Sequence, residues 1–260
     1  MTILDVYFLL ECFILELNIA TSLMESWNGE SSMSNKRFLA ELKLYEKMQH
    51  HERLAHAQGY HILAGIDEAG RGPLAGPVVA AACVLDPNAP IYGLNDSKKL
   101  TPAKRGRLFK ELLDHAQDYA IAQAEHDIID EINILEATRL AMKSATDSLK
   151  IKPDLLLTDA VELHDVSCPV WSIVKGDGHS VSIAAASILA KVTRDELMEQ
   201  YDQQYPGYGF AQHKGYGTPA HYKALLELGP TPIHRRTFLR NIADQLIQAG
   251  HVKLDYFTYN

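Results

Sequence analysis

The short apolar run Ile62-Leu63-Ala64-Gly65-Ile66 stops at two adjacent carboxylates, Asp67 and Glu68, and the turn Gly70-Arg71-Gly72-Pro73 follows at once. Such a run reads as a buried strand. Acids at its end place like charges together at the edge of a sheet, where each raises the other's proton affinity unless a cation or a shared proton intervenes. A hard divalent ion removes that penalty, so the pattern points to a metal site built on a sheet edge.

Two more acids stand in similar places. Asp159 follows the core run Leu155-Leu156-Leu157, and Asp177 lies in the turn Lys175-Gly176-Asp177-Gly178 ahead of a helix expected over Ser180–Gln200. Acids far apart in sequence can converge on one sheet edge, and four of them suit two Mg²⁺ or Mn²⁺ ions about 4 Å apart, the arrangement that hydrolyses phosphodiesters. Oxygen ligands fit these cations, and no histidine or thiolate cluster suits zinc.

The remaining pattern is α/β. Val78–Leu85, Tyr119–Glu125 and Val170–Val174 read as strands. Thr101 with Pro102 behind it marks the start of a helix running to about Gln117, and a long helix is expected from Ile128 to Leu149. Asp130 and Glu131 fall at its start and call for no chemistry; the methionine and leucine positions in it read as core.

Residues 1–59 read as an N-terminal extension, 60–250 as a catalytic domain with a helical C-terminal part, and 251–260 as a tail. Within the extension, the apolar segment up to Met24 carries Asp5, Glu11 and Glu16 and no basic residue. It lacks the charged start of a secretory signal, and a lipid-buried helix of this kind is costly, so no membrane association is expected. An amphipathic helix and a translation start at Met24 or Met33 both remain open. Glu25 to Asn35 reads as a linker and Lys36 to Gly59 as a charged helix. Cys12, Cys83 and Cys168 are widely separated, which fits a reducing cytoplasm.

A net charge of -8 is the wrong sign for binding nucleic acid through overall charge. A polyanion must therefore be met by local basic patches. Lys98, Lys99, Lys104, Arg105 and Arg107 form one, and His213, Lys214, His234, Arg235 and Arg236 another. Each is a candidate phosphate contact.

Blander readings compete with each of these. Asp67 and Glu68 alone would pass for an exposed turn pair, Asp177 for a helix cap, Arg71 for a surface ion-pair partner and His179 for a surface turn residue. Gly70 to Ala75 formally fits the dinucleotide fingerprint G-x-G-x-x-A, but that fingerprint should open a helix. Here Pro73 and Pro77 bracket the turn and a β-like run follows, which rejects an oxidoreductase. A non-catalytic binding module would need none of the acids.

The runs GIDEAGRGPLAGPVV (65–79), LNDSKKL (94–100), DEINILEAT (130–138), KGD (175–177), SIAAASILAKVTRD (182–195), YGFAQHKGYGT (208–218) and GPTPIHRRTF (229–238) resemble bacterial ribonuclease HII. The resemblance implies an RNase H-like α/β fold, with a mixed central sheet flanked by helices and a small helical C-terminal part. It implies cleavage of RNA in RNA–DNA hybrids and at single ribonucleotides in duplex DNA, leaving 5'-phosphate and 3'-hydroxyl ends, with a role in clearing ribonucleotides from DNA. Asp67, Glu68, Asp159 and Asp177 match the family's metal-binding catalytic acids, for Mn²⁺ or Mg²⁺. Gly70, Arg71 and Gly72 match its sensor of the ribose 2'-hydroxyl, and Tyr216 matches the tyrosine stacked at the ribonucleotide junction. Lys98, Lys99, Lys214 and Arg235 are the basic residues expected to bind substrate. The sister family, ribonuclease HIII, has a larger N-terminal substrate-binding domain than this extension allows.

The tail Lys253-Leu254-Asp255-Tyr256-Phe257 is similar to short peptides that dock on the bacterial sliding clamp. A locally packed or disordered terminus is the competing expectation.

Overall fold

The computed structural model describes residues 32–257. The apolar segment 1–24, the start of the expected linker and the last three residues lie outside the described residues. The chain divides into two compact units, Met1–Leu44 and Tyr45–Asn260. Helix α1 covers Ser32–Met48 and α2 covers His50–Ala57, so the expected charged helix is broken at Gln49.

The second unit is built on five strands: β1 Leu63–Ala69, β2 Val78–Val84, β3 Asp118–Ala124, β4 Leu155–Asp159 and β5 Val170–Ile173. Their order is β3-β2-β1-β4-β5. The first three pair antiparallel, and β1 with β4 and β4 with β5 pair parallel, giving the expected mixed sheet. Strand β2 is buried at every position, as a strand covered on both faces must be.

Helices α3 (Pro102–His115), α4 (His126–Ile132), α5 (Ile134–Ser148) and α6 (Val181–Gln204) complete the main layers. Thr101 caps α3 as its sequence predicts, its side chain accepting from the amide of Lys104. On one face of the sheet, Ala137, Ala141, Met142 and Ala145 of α5 pack with Ala64, Ile66, Ala80, Ala82 and Leu156. On the other, Ala55 and Ile183 pack with Leu63, Leu155, Leu157 and Ile173.

Helix α6 is buried along its first half because its residues there are small or apolar. It approaches β1 so closely that a Cβ on Gly65 would lie 2.0 Å from the carbonyl carbon of Ser182. No larger residue fits there.

The expected helix from Ile128 to Leu149 is two helices. Asn133 breaks it with φ of 69° and ψ of 165°, a positive-φ backbone that no helix continues through, and its side chain then caps α5 by accepting from the amides of Leu135 and Glu136. Asp130 is buried inside α4 rather than at a helix start, and it accepts from the amides of Arg236 and Thr237. It joins the sheet layer to the C-terminal part.

Glu52 of α2 is buried and accepts from Ser180 Oγ at 2.5 Å and the amide of Ser182 at 3.1 Å, which ties α2 to the start of α6.

The C-terminal part holds α7 (Phe210–His213), α8 (Pro219–Leu228) and α9 (Ala243–Gln248), with short 3₁₀ turns at Arg236–Ile242 and Leu254–Phe257. It is helical, as expected. No described helix is long and apolar enough to cross a membrane.

Candidate active site

Strand period and register explain how the acids meet. Side chains alternate along a strand, so Asp67 shares a face with Leu63, and Asp159 with Leu155 and Leu157. Because β1 and β4 are parallel with Ile66 opposite Thr158, Asp67 and Asp159 come next in register at the same ends of neighbouring strands. Both acids are the last or near-last residues of their strands rather than residues beyond them.

Asp177 arrives from the 3₁₀ turn Gly176–Gly178, which Asp159 anchors by accepting from the amide of Gly176 at 2.8 Å. The residue that caps α6 is Ser180, so Asp177 is left over for another role. One carboxylate oxygen from each of Asp67, Asp159 and Asp177 lies within 4.8 Å of the others. Glu68 adds a fourth carboxylate beside them, with Oε2 buried and without a hydrogen-bond partner among the described residues.

The electrostatics fit a cation. Burial, and then the neighbouring Glu68, push the Asp67 carboxyl well above its ordinary range. Burial raises Glu68 too, against the pull of Arg71, which pairs with it at 3.2 Å. Asp177 is raised by burial and by Asp96 and Asp159. Carboxyls disfavoured as bare anions, with an orphaned oxygen among them, form a donor set that a hard divalent ion completes.

A cleft of about 720 Å³ opens on this edge, lined among others by Asp67, Glu68, Gly70, Arg71, Gly72 and Tyr216. The glycine turn and the tyrosine are neighbours there: a Cβ on Gly72 would lie 3.5 Å from the Tyr216 ring. Tyr216 is 45 % exposed, so a face of its ring is available.

Lys98 lines the cleft and is exposed, whereas Lys99 is exposed but pairs with Asp96 at 3.4 Å. Lys214 is largely engaged, with Nζ 2.7 Å from Glu199. Arg105 is turned inward and donates to the carbonyls of Ser97 and Leu100. His179 is exposed, as expected.

Arg235 corrects the sequence expectation. It is 0 % exposed and cannot reach a phosphate. Its guanidinium donates instead to the carbonyls of Gly70 at 2.6 Å, Arg71 at 2.9 Å and Gly76 at 2.8 Å. His234 is buried as well and is no phosphate contact. A charge run reads as solvated surface, and nothing in its sequence tells which carbonyls await it.

Three residues of α6 were missed individually. Ser187, Lys191 and Arg194 stand at i, i+4 and i+7, one helical face, and all three line the cleft. Ser187 hydrogen-bonds Asp67 and lies 2.9 Å from Ser97 Oγ. Arg194 is buried and donates to the carbonyls of Ala75, Pro77 and Lys214, which joins the glycine turn to the segment carrying Tyr216. The helical spacing of these polar residues in an apolar stretch was the signal available.

A model of the family described as ribonuclease HII matches residues 64–241. A ribonuclease HII from Ruminiclostridium cellulolyticum is 52 % identical over 204 residues, covering 78 % of this chain and 80 % of that protein. One from Clostridioides difficile is 55 % identical over 191 residues, 74 % of this chain and 75 % of the relative.

The chain belongs to the ribonuclease HII family. It is a type II ribonuclease H, an endoribonuclease of RNA–DNA hybrids. Among solved structures, the ribonuclease H2 of Pyrococcus horikoshii is similar with a TM-score of 0.62 at 31 % identity, covering 72 % of this chain and all of that one. A ribonuclease HII from Archaeoglobus fulgidus, solved in complex with PCNA, shares the fold with a TM-score of 0.58 at 24 % identity, covering 74 % of this chain and 98 % of that one. The RNase H-like fold expected for ribonuclease HII is thus the fold found.

Proposed function

We propose that this chain cuts the RNA strand of hybrids and also cuts duplex DNA at a single embedded ribonucleotide, leaving 5'-phosphate and 3'-hydroxyl ends. The observation that carries this reading is the common cleft: Asp67 and Glu68, the Gly70-Arg71-Gly72 turn and Tyr216 line one space, and Asp159 and Asp177 cluster with Asp67 at its edge.

Asp67, Asp159 and Asp177, with Glu68 beside them, would hold two divalent ions, Mn²⁺ or Mg²⁺. Such ions supply an activated water and stabilise the leaving oxygen of a phosphodiester. Ser187 steadies the Asp67 carboxylate, and the amide of Gly176 steadies that of Asp159. Arg71 holds Glu68 and is itself half exposed beside the turn.

The 2'-hydroxyl is what separates RNA from DNA. A turn without side chains at positions 70 and 72 lets backbone groups come near it. Tyr216 offers a ring face at the same place, and stacking on a base contributes roughly 1–3 kcal/mol. Lys98 is placed to neutralise a backbone phosphate without reading sequence.

Clearing ribonucleotides from DNA is the role this specificity serves. The thiols of Cys83 and Cys168 are free, which suits a reducing cytoplasm. Contact with a sliding clamp through the tail is supported by Leu254, 73 % exposed, although Tyr256 and Phe257 pack on the Leu225, Leu239 and Leu246 cluster. Deleting residues after Gly250 should lower clamp affinity; unchanged affinity removes that reading. The catalytic reading is tested by cleavage of a duplex with one ribonucleotide by the wild type and Tyr216→Ala, the variant being selectively weakened on that substrate.

A further inference from the structure

Three histidines stand behind the segment that carries Tyr216. His213 stacks on His221 with ring centroids 4.4 Å apart and planes at 16°. Nδ1 of His221 lies 3.0 Å from the Tyr216 carbonyl, and its Nε2 lies 3.0 Å from Nε2 of His234. Nδ1 of His234 is 2.8 Å from the Thr231 amide.

Proton counting fixes this chain in one arrangement. A backbone N–H can only donate, so Nδ1 of His234 accepts from Thr231 and its single proton sits on Nε2. That proton points at Nε2 of His221, which must accept, leaving the His221 proton on Nδ1 to be donated to the Tyr216 carbonyl. His213 is fixed in the same way: its Nδ1 accepts from the Gly215 amide at 3.2 Å, and its Nε2 donates to the Tyr208 carbonyl at 2.7 Å.

His221 and His234 are 0 % and 1 % exposed, so neither touches substrate. Burial drives their basicity down, to about 4 for His221 and about 3 for His234, so both rings are neutral near pH 7. The next residue, Arg235, holds the carbonyls of Gly70 and Arg71. One dipeptide, His234-Arg235, therefore anchors both the glycine turn and, through His221, the tyrosine.

We propose that His221, held in one tautomer by His234, is a positioning residue for Tyr216 and sets the preference for a lone ribonucleotide over a continuous RNA strand. The inference rests on the reading of Tyr216 as a stacking contact. The hydrogen bond holds the Tyr216 backbone carbonyl, so the side chain is presented from a fixed point and less backbone freedom is lost when the ring stacks. A continuous hybrid, with no junction to deoxyribonucleotide at most cleavage sites, depends less on that ring.

The test is steady-state cleavage of two substrates, a DNA duplex with one ribonucleotide and an all-RNA strand paired with DNA, by wild type, Tyr216→Ala, His221→Leu, His221→Asn and His221→Gln. The His221→Leu variant should lose about tenfold in kcat/KM on the single-ribonucleotide duplex, chiefly through KM, as expected for one lost hydrogen bond, and much less on the hybrid. An asparagine amide sits where Nδ1–H sits and should restore most of the preference; a glutamine amide reaches the Nε2 position instead and should not. That split keeps the test informative if His221→Leu fails to fold. Equal losses on both substrates, or matching behaviour of the asparagine and glutamine variants, overturn the inference while Tyr216→Ala remains selectively weak. Unchanged preference in Tyr216→Ala overturns the stacking reading and this inference with it.

Discussion

A Cβ on Gly70 would lie 1.9 Å from Nε of Arg194. The glycine also has φ of +98°, a conformation that side chains rarely adopt. The turn at the cleft is therefore shaped by a buried arginine behind it. Gly70→Ala should cost about 1–3 kcal/mol from backbone strain alone, with a further loss from displacing Arg194. Thermal unfolding and cleavage should both fall, and an alanine variant as stable and active as wild type would contradict this geometry.

Arg235 and Lys98 should separate cleanly although both are basic. Lys98 faces the cleft, so Lys98→Ala should lower the slope of log binding affinity against log salt by roughly one unit, the signature of one lost phosphate contact. Arg235→Met should leave the salt slope unchanged and lower the unfolding midpoint, because carbonyls of Gly70, Arg71 and Gly76 lose their donor. Binding titrations at several salt concentrations, with thermal melts, check both.

Metal addition should stabilise the folded chain. Carboxyls that burial and mutual repulsion hold above their ordinary range gain a counter-charge when a divalent ion binds. At a hundredfold excess of Mg²⁺ or Mn²⁺ over its Kd, the stabilisation should approach about 2.7 kcal/mol. Asp159→Asn should lose most of that gain, read as the shift in unfolding midpoint with and without metal.

The buried histidines set a pH dependence of known sign. Their unfolded pKa is near 6.5, while burial lowers His221 to about 4 and His234 to about 3. Between those values the unfolded chain binds more protons than the native one, so this contribution is full above pH 6.5 and is lost as pH falls toward 4. The stability gap between wild type and His221→Asn should therefore narrow from pH 7 to pH 4.5 in parallel melts.

Much of the sheet could be read from sequence because β1, β2 and β4 are built on short apolar runs, although β1 and β4 continue through the acids that follow those runs. The convergence of Asp67 and Asp159 follows from strand ends, but their adjacency depends on the parallel pairing of β1 with β4, which neither run encodes alone. The break at Asn133 is hidden because the apolar period continues across it, and a positive φ at one asparagine leaves no mark in hydropathy. The buried roles of Arg194, Arg235 and His234 leave no mark in the sequence because their partners are backbone carbonyls, amides and other buried rings. Side-chain chemistry alone cannot reveal such partners. Ser187 and Lys191 were within reach of the helical spacing.

Cleavage of a DNA duplex carrying one ribonucleotide, with Mg²⁺ or Mn²⁺, is the most direct test of the catalytic site, run with wild type, Asp67→Asn and a continuous RNA–DNA hybrid for comparison. Metal-dependent cutting 5' to the ribonucleotide by wild type, lost by at least about a hundredfold in Asp67→Asn, is expected if the acids hold the ions that drive hydrolysis. Cutting of the continuous hybrid alone would contradict the single-ribonucleotide specificity assigned to the glycine turn and Tyr216, and undiminished cutting by Asp67→Asn would contradict the site itself.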